Sequence, residues 1–245
     1  MKKYLPVGIF LVGLLVFGGV FLMLRGSSSK TSNDQQVDEA VPEITLTQRP
    51  VTSLTPSGDG HWLKMKIDSI KVKAATLDYE LLYSLPDGRS QGVPGTVNLN
   101  GKTSVSRDLL LGSESSGHFR YDEGVDQGAL TVRFRNDSGK LVGKLSTKFH
   151  LQSKVAGLAS VDGKFTFKLN KTPTKDFYVT METFGLPNSL SGGLSSGPYG
   201  VFSSAVVAQP GTVTLDGTIQ RATSGGWEEV KDGKASDIGI FVGTK

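Results

Sequence analysis

The groups in this chain that could do chemistry are few and scattered. Gly193-Leu194-Ser195-Ser196-Gly197 has the Gly-x-Ser-x-Gly spacing of a nucleophile elbow. In that elbow a strand-to-helix turn lifts the serine above a parallel sheet, within reach of an activating histidine. Here Pro198-Tyr199-Gly200-Val201 follows, with no helical pattern, so the context the motif needs is missing. A membrane-anchored serine hydrolase using Ser195 with His118 or His150 is the alternative reading; the leading one has no catalytic residue.

Asp137-Ser138-Gly139 carries the Asp-Ser-Gly core of aspartic proteases. Those enzymes need two aspartates sharing a proton. Only one copy is present, and Asn136 to Lys140 has the composition of a hairpin turn. The histidines are His61, His118 and His150, and none lies two or four residues from another. A helical or strand-borne metal pair is therefore not written in the spacing. Asp122, Glu123 and Asp126, in YDEGVDQG, are weak candidates for a calcium site. They lack the ligand spacing and the terminal bidentate Glu of an EF-hand loop. Trp62 and Trp227 could serve as sugar platforms, although aromatics at β positions usually pack against a core or edge. With no cysteine in the chain, disulfides, thiolate metal sites and cysteine nucleophiles are excluded. No cofactor is expected.

The elements that must position these residues are strands. From His61 to Asp68, Leu63, Met65 and Ile67 alternate with Lys64, Lys66 and Asp68, the period of a strand with one buried face. Ala75, Leu77, Tyr79, Leu81 and Tyr83 repeat it before the turn Pro86-Asp87-Gly88. Leu130, Val132 and Phe134 do the same before Asn136 to Gly139, and Leu141 to Leu151 is the expected return strand of that hairpin. The pattern continues through Phe165 and Phe167, Phe177 to Met181, Val201 to Val207, Val213 and Leu215, Trp227, and Ile238 to Val242. This predicts an all-β chain of one or two β-sandwich modules, residues 42–152 and 157–245, joined through the small polar stretch from Gln152 to Gly157. Pro94 to Gly101 and Pro210 to Gly217 agree at six of eight positions, a weak internal echo that favours two modules. In general look the pattern is similar to immunoglobulin-like or fibronectin-like sandwiches, without the Cys…Trp…Cys signature of true immunoglobulin domains.

Location follows from the other end of the chain. Leu5 to Leu24 is an uncharged apolar run, long enough to cross a hydrocarbon core of about 30 Å as a helix. It predicts a signal anchor, with residues 1–4 as a cytoplasmic tail and 25–41 as a polar tether. Lys2 and Lys3 cluster before the run, favouring an inside N-terminus and an extracytoplasmic C-terminal part. Without Lys2, Lys3 and Arg25 the chain holds 24 basic and 23 acidic residues. A near-neutral balance gives no electrostatic case for nucleic acid. The expected setting is a bacterial cell envelope, with membrane contact through the anchor and an envelope protein or polysaccharide as partner.

A binding surface is expected in the stretch from Gly185 to Gly200. It is the longest turn-rich interruption between clear strands, yet it carries Leu190, Leu194 and Tyr199. A hairpin needs only about 2–5 connecting residues. Extra length with apolar side chains either covers the sandwich or meets a partner.

Overall fold

The computed structural model describes residues 41–245; the predicted tail, anchor and nearly all of the tether lie outside the described residues. No helix among the described residues is long and apolar enough to cross a membrane. The described chain is all-β and sandwich-like. Its first half runs β1 (Val51–Pro56), β2 (Trp62–Asp68), β3 (Thr76–Ser84), β4 (Ser90–Asn98), β5 (Val105–Leu110), β6 (Gly112–Ser115), β7 (His118–Tyr121), β8 (Gln127–Arg135) and β9 (Leu141–Ser153). Its second half runs β10 (Gly157–Ala159), β11 (Thr166–Leu169), β12 (Phe177–Glu182), β13 (Leu194–Ser203), β14 (Gly211–Thr214), β15 (Thr218–Thr223), β16 (Gly226–Glu229), β17 (Lys234–Ala235) and β18 (Ile240–Thr244).

One long antiparallel sheet of nine strands, in the order β16-β15-β18-β13-β12-β9-β8-β3-β4, runs through both halves. A three-stranded sheet, β1-β2-β5, and a four-stranded sheet, β10-β11-β14-β17, pack against it, and β6-β7 forms a separate hairpin. Side-chain alternation shows where each cover lies. Val179 and Met181 of β12 join Leu63, Met65 and Ile67 of β2 in the first core. Tyr178, between them in sequence, joins Phe165, Phe167 and Val213 in the second. Adjacent residues on a strand point to opposite faces, so the two covers sit on opposite faces of the shared sheet.

The second core is aromatic at its centre. The Phe165 ring stacks on Tyr199 with centroids 5.3 Å apart, and Phe165 and Phe167 both lean on Phe241. Beyond the four-stranded cover, the same face of the long sheet is polar. Asp78 on β3 accepts from Arg135 Nε at 2.7 Å and from Thr96 Oγ1 at 2.8 Å, and Glu80 pairs with Arg133. Such cross-strand pairs suit a solvated sheet face.

Two expectations differ from the strands observed. The strand expected at Val201 to Val207 ends at Ser203, and Val206 is fully exposed. The turn-rich stretch from Gly185 to Gly200 is only partly loop, because Leu194–Ser203 is a strand. Its pairing with β18 shifts register twice, between Leu194 and Ser196 and between Ser196 and Tyr199. Irregularities of that kind let a strand carry Gly197-Pro198. Pro94 to Gly101 and Pro210 to Gly217 occupy different places: the first lies on β4 at the edge of the long sheet, the second on β14 inside the four-stranded sheet.

Candidate binding surfaces

The 183–193 connection leaves β12 under tight constraint. Phe184 bridges to Val51, and Gly185 N–H donates to the Pro50 carbonyl at 3.0 Å. A Cβ on Gly185 would lie 2.1 Å from the Arg49 carbonyl oxygen, so only glycine permits the approach. Asn188 then pins the connection to the β15–β16 turn. Its Nδ2 donates to the Thr223 and Gly226 carbonyls at 3.0 and 2.9 Å, and its own carbonyl accepts from Trp227 Nε1.

Held this way, the connection closes one side of a cleft of about 400 Å³. Leu186, Leu190 and Leu194 line that side, and Leu46, Arg49 and Lys71 line the other. Leu190 and Leu194 are half-buried and belong to neither core. The two cations are tied to the rim by main-chain carbonyls: Lys71 Nζ donates to Thr47 at 2.8 Å and Arg49 Nε to Ile44 at 2.9 Å. An apolar trough with basic groups at its edge can take an apolar side chain and orient an acidic neighbour.

Tyr199 does not share this cleft. It is buried in the second core, and its hydroxyl donates to Asp162 Oδ2 at 2.6 Å. Tyr199, Asp162 and Glu182 instead line a separate cleft of about 340 Å³ with Ser146 and Lys148, where the four-stranded cover ends. Burial works against the charge on Asp162, but hydrogen bonds from Ser160, Tyr199 and the Lys164 N–H hold its carboxyl below the ordinary value. Burial also pushes Glu182 up; Arg49 and Lys164 pull against it, while Asp162 adds to the rise.

The other residues singled out by type find structural work. Ser195, on β13 beside β18, donates through Oγ to the Asp216 carbonyl at 3.2 Å. His150, on β9, has Nδ1 2.8 Å from the Ala159 carbonyl, which can only accept, so Nδ1 carries the proton. His118 is exposed on β7. The structure does not join these three in one hydrogen-bonded chain. Asp122 Oδ2 accepts from Tyr83 at 2.8 Å, Glu123 is exposed, and the Asp126 carbonyl accepts from Leu151 N–H. Among the described residues no three His, Asp or Glu side chains are grouped to hold a metal ion. Asn136 caps its own turn, its Oδ1 accepting from Ser138 and Lys140 N–H groups.

A second surface was not legible as a unit. The β6–β7 hairpin carries Phe119 and Tyr121, 46% and 38% exposed, beside the start of β2. His61 stacks on Tyr121 with centroids 4.2 Å apart, and Trp62 meets Phe119 edge-on at 5.7 Å. His61 and Trp62 lie more than fifty positions from their partners, and nothing local in the sequence signals the pairing. No protein-family model, no curated protein and no solved structure matches the chain.

Proposed function

We propose that the chain is a non-catalytic, single-pass cell-envelope protein that displays β-sandwich modules for binding. In this reading Leu5 to Leu24 anchors it and residues 25–41 hold the rest off the membrane on its outer side. Residues 42–152 and 157–245 act as two immunoglobulin-like or fibronectin-like modules joined through one sheet, and their partner is another envelope component. The observation that supports a binding role is the leucine cleft. Leu46 comes from the approach to β1, Leu190 from the connection after β12 and Leu194 from the start of β13, yet they face one trough with Arg49 and Lys71. Side chains needed only for packing would lie within a core, and these remain half-open to solvent.

The test uses the full chain in native envelopes. A photocrosslinkable residue at Leu190 is expected to give a discrete adduct that the same residue at the exposed Val207 does not. The Leu186→Ser variant should abolish the adduct while shifting stability by less than about 1 kcal/mol, as expected for a half-exposed site. No adduct above the Val207 background, or ester or peptide hydrolysis by the purified chain that disappears in Ser195→Ala, overturns the reading.

A further inference from the structure

At the opposite end of β1 from the leucine cleft lies a second surface with a different chemistry. Six residues of β1 separate the two, about 20 Å at the rise of an antiparallel strand. Trp62 opens β2 opposite Leu110 of β5, and because Leu63 points into the first core, Trp62 points out. Phe119 and Tyr121 lie two apart on β7, so they share a face; their rings are parallel within 5°, with centroids 6.2 Å apart. The hairpin can bring them there because Gly112, paired with Tyr121, has no Cβ: one would sit 2.2 Å from the Arg120 carbonyl oxygen.

Trp62, which meets Phe119 edge-on, also lines an open cleft of about 450 Å³ together with Thr55, Ser57, Lys64 and Asp108. Lys64 Nζ and Asp108 Oδ1 face each other across β2 and β5 at 4.0 Å, both well exposed. The surface therefore pairs an aromatic face with a fringe holding hydroxyl, ammonium and carboxylate groups. That combination matches a pyranose ring. The ring's C–H face is apolar and its hydrogens carry slight positive charge, which the negative face of an aromatic ring attracts. Its hydroxyls lie around the edge, where each needs both donors and acceptors.

We propose that Trp62, Phe119 and Tyr121 form a binding site for a neutral polysaccharide of hexopyranose units, with Lys64, Asp108 and Thr55 addressing the sugar hydroxyls. Insertion of the same aromatics into a bilayer fits less well. The hairpin tip that would lead them, Glu114-Ser115-Ser116-Gly117-His118, is polar, whereas an inserting tip presents apolar residues to the acyl boundary. The mixed signs of Lys64 and Asp108 give no reason to select an anionic polymer. The proposal rests on the binding reading above but uses a separate surface, so failure here leaves the Leu190 crosslink unaffected.

The test exploits the presence of only two tryptophans. Trp227→Phe leaves Trp62 as the sole emitter in the full chain. Hexamers of β-1,4-linked glucose and of β-1,4-linked N-acetylglucosamine are titrated, and Trp62 emission and calorimetric heat are followed. At least one hexamer is expected to shift the emission saturably, and Trp62→Ala should weaken the calorimetric affinity about tenfold, the loss of one stacking contact. Should Trp62→Ala fail to fold, Phe119→Ser/Tyr121→Ser, confined to the exposed hairpin, must produce the same loss. Absence of binding by both hexamers overturns the proposal, as does binding that these variants leave unchanged. In liposomes containing brominated lipids, quenching of Trp62 would place the rings in the bilayer and also overturn it.

Discussion

The two cores of this chain are built on opposite faces of one sheet, and β12 is where they meet. The β2 strand, WLKMKID, is covered on one face only: its buried positions alternate with exposed lysines. The β12 strand, FYVTME, has four consecutive buried residues from Tyr178 to Thr180 and Met181. A strand buried on both faces reads as a near-continuous apolar run, and one buried on a single face reads as an alternation. The contrast shows how one sheet can carry two cores: the strand at the seam faces both.

That comparison makes the coupling of the cores testable. Phe149 is fully buried in the first core and Phe167 in the second. Truncating either to alanine should cost about 3–5 kcal/mol. If the shared sheet couples the cores, Phe149→Ala and Phe167→Ala will each lower a single melting transition. The natural reporters are Trp62, beside the first core, and Trp227 on β16 at the far edge of the sheet, each observed with the other replaced by phenylalanine. A Phe149→Ala melt that moves for Trp62 and stays for Trp227 would show two independent units.

Much of this architecture was legible in the sequence because half-covered strands announce themselves. Leu63, Met65 and Ile67, or Leu130, Val132 and Phe134, alternate cleanly and lie in the first core as expected. Tyr178 and Thr180 are where alternation gave out. Reading Phe177, Val179 and Met181 as the buried set accounts for one face and leaves the second cover unseen. The first part of β13, before Val201, was hidden for a different reason. Gly192, Gly193, Gly197, Pro198 and Gly200 carry loop composition, and only the register shifts against β18 reconcile it with pairing. Of the expected contact residues, Leu190 and Leu194 do share a cleft, while Tyr199 proved to be the aromatic that closes the second core. The aromatic ledge escaped because Trp62 and Phe119 meet through a β2–β5 pairing and a hairpin, and no window of local sequence contains both.

A smaller effect sharpens the difference at the seam itself. Glu182 and Asp162 share the cleft where the second cover ends, and their protonation pulls stability in opposite directions. Asp162 is held below its ordinary value of 3.8 in the fold, so its contribution is present above that value and lost as pH falls through the folded one. Glu182 is raised above 4.5, so ionising it costs stability as pH rises from there. Glu182→Gln should therefore melt higher than the native chain at about pH 7 and lose that advantage at about pH 3. Asp162→Asn should melt lower at neutral pH, with the gap closing in acid. Shifts of the two variants in the same direction at neutral pH would mean that one of the two carboxyls does not feel the environment the cleft gives it.

The smallest expected effect compares one hydroxyl on each side. Among the described residues, Thr52 Oγ1 and Thr180 Oγ1 are buried side-chain atoms with no hydrogen-bond partner. Thr52 lies on β1, within the sheet that covers the first core, and Thr180 lies on β12 on the face it shares with Tyr178. A buried hydroxyl left unpaired loses its hydration without return, at about 1–3 kcal/mol. Valine has nearly the same shape and no such group to desolvate. Thr52→Val and Thr180→Val should each raise the melting temperature, by no more than about 1 kcal/mol of stability once packing adjusts. The gains should add, since the two hydroxyls share no hydrogen-bond partner and lie towards different cores. A loss at Thr180 alone would indicate an ordered water bonded to that hydroxyl at the seam, and the second core would then be the wetter of the two.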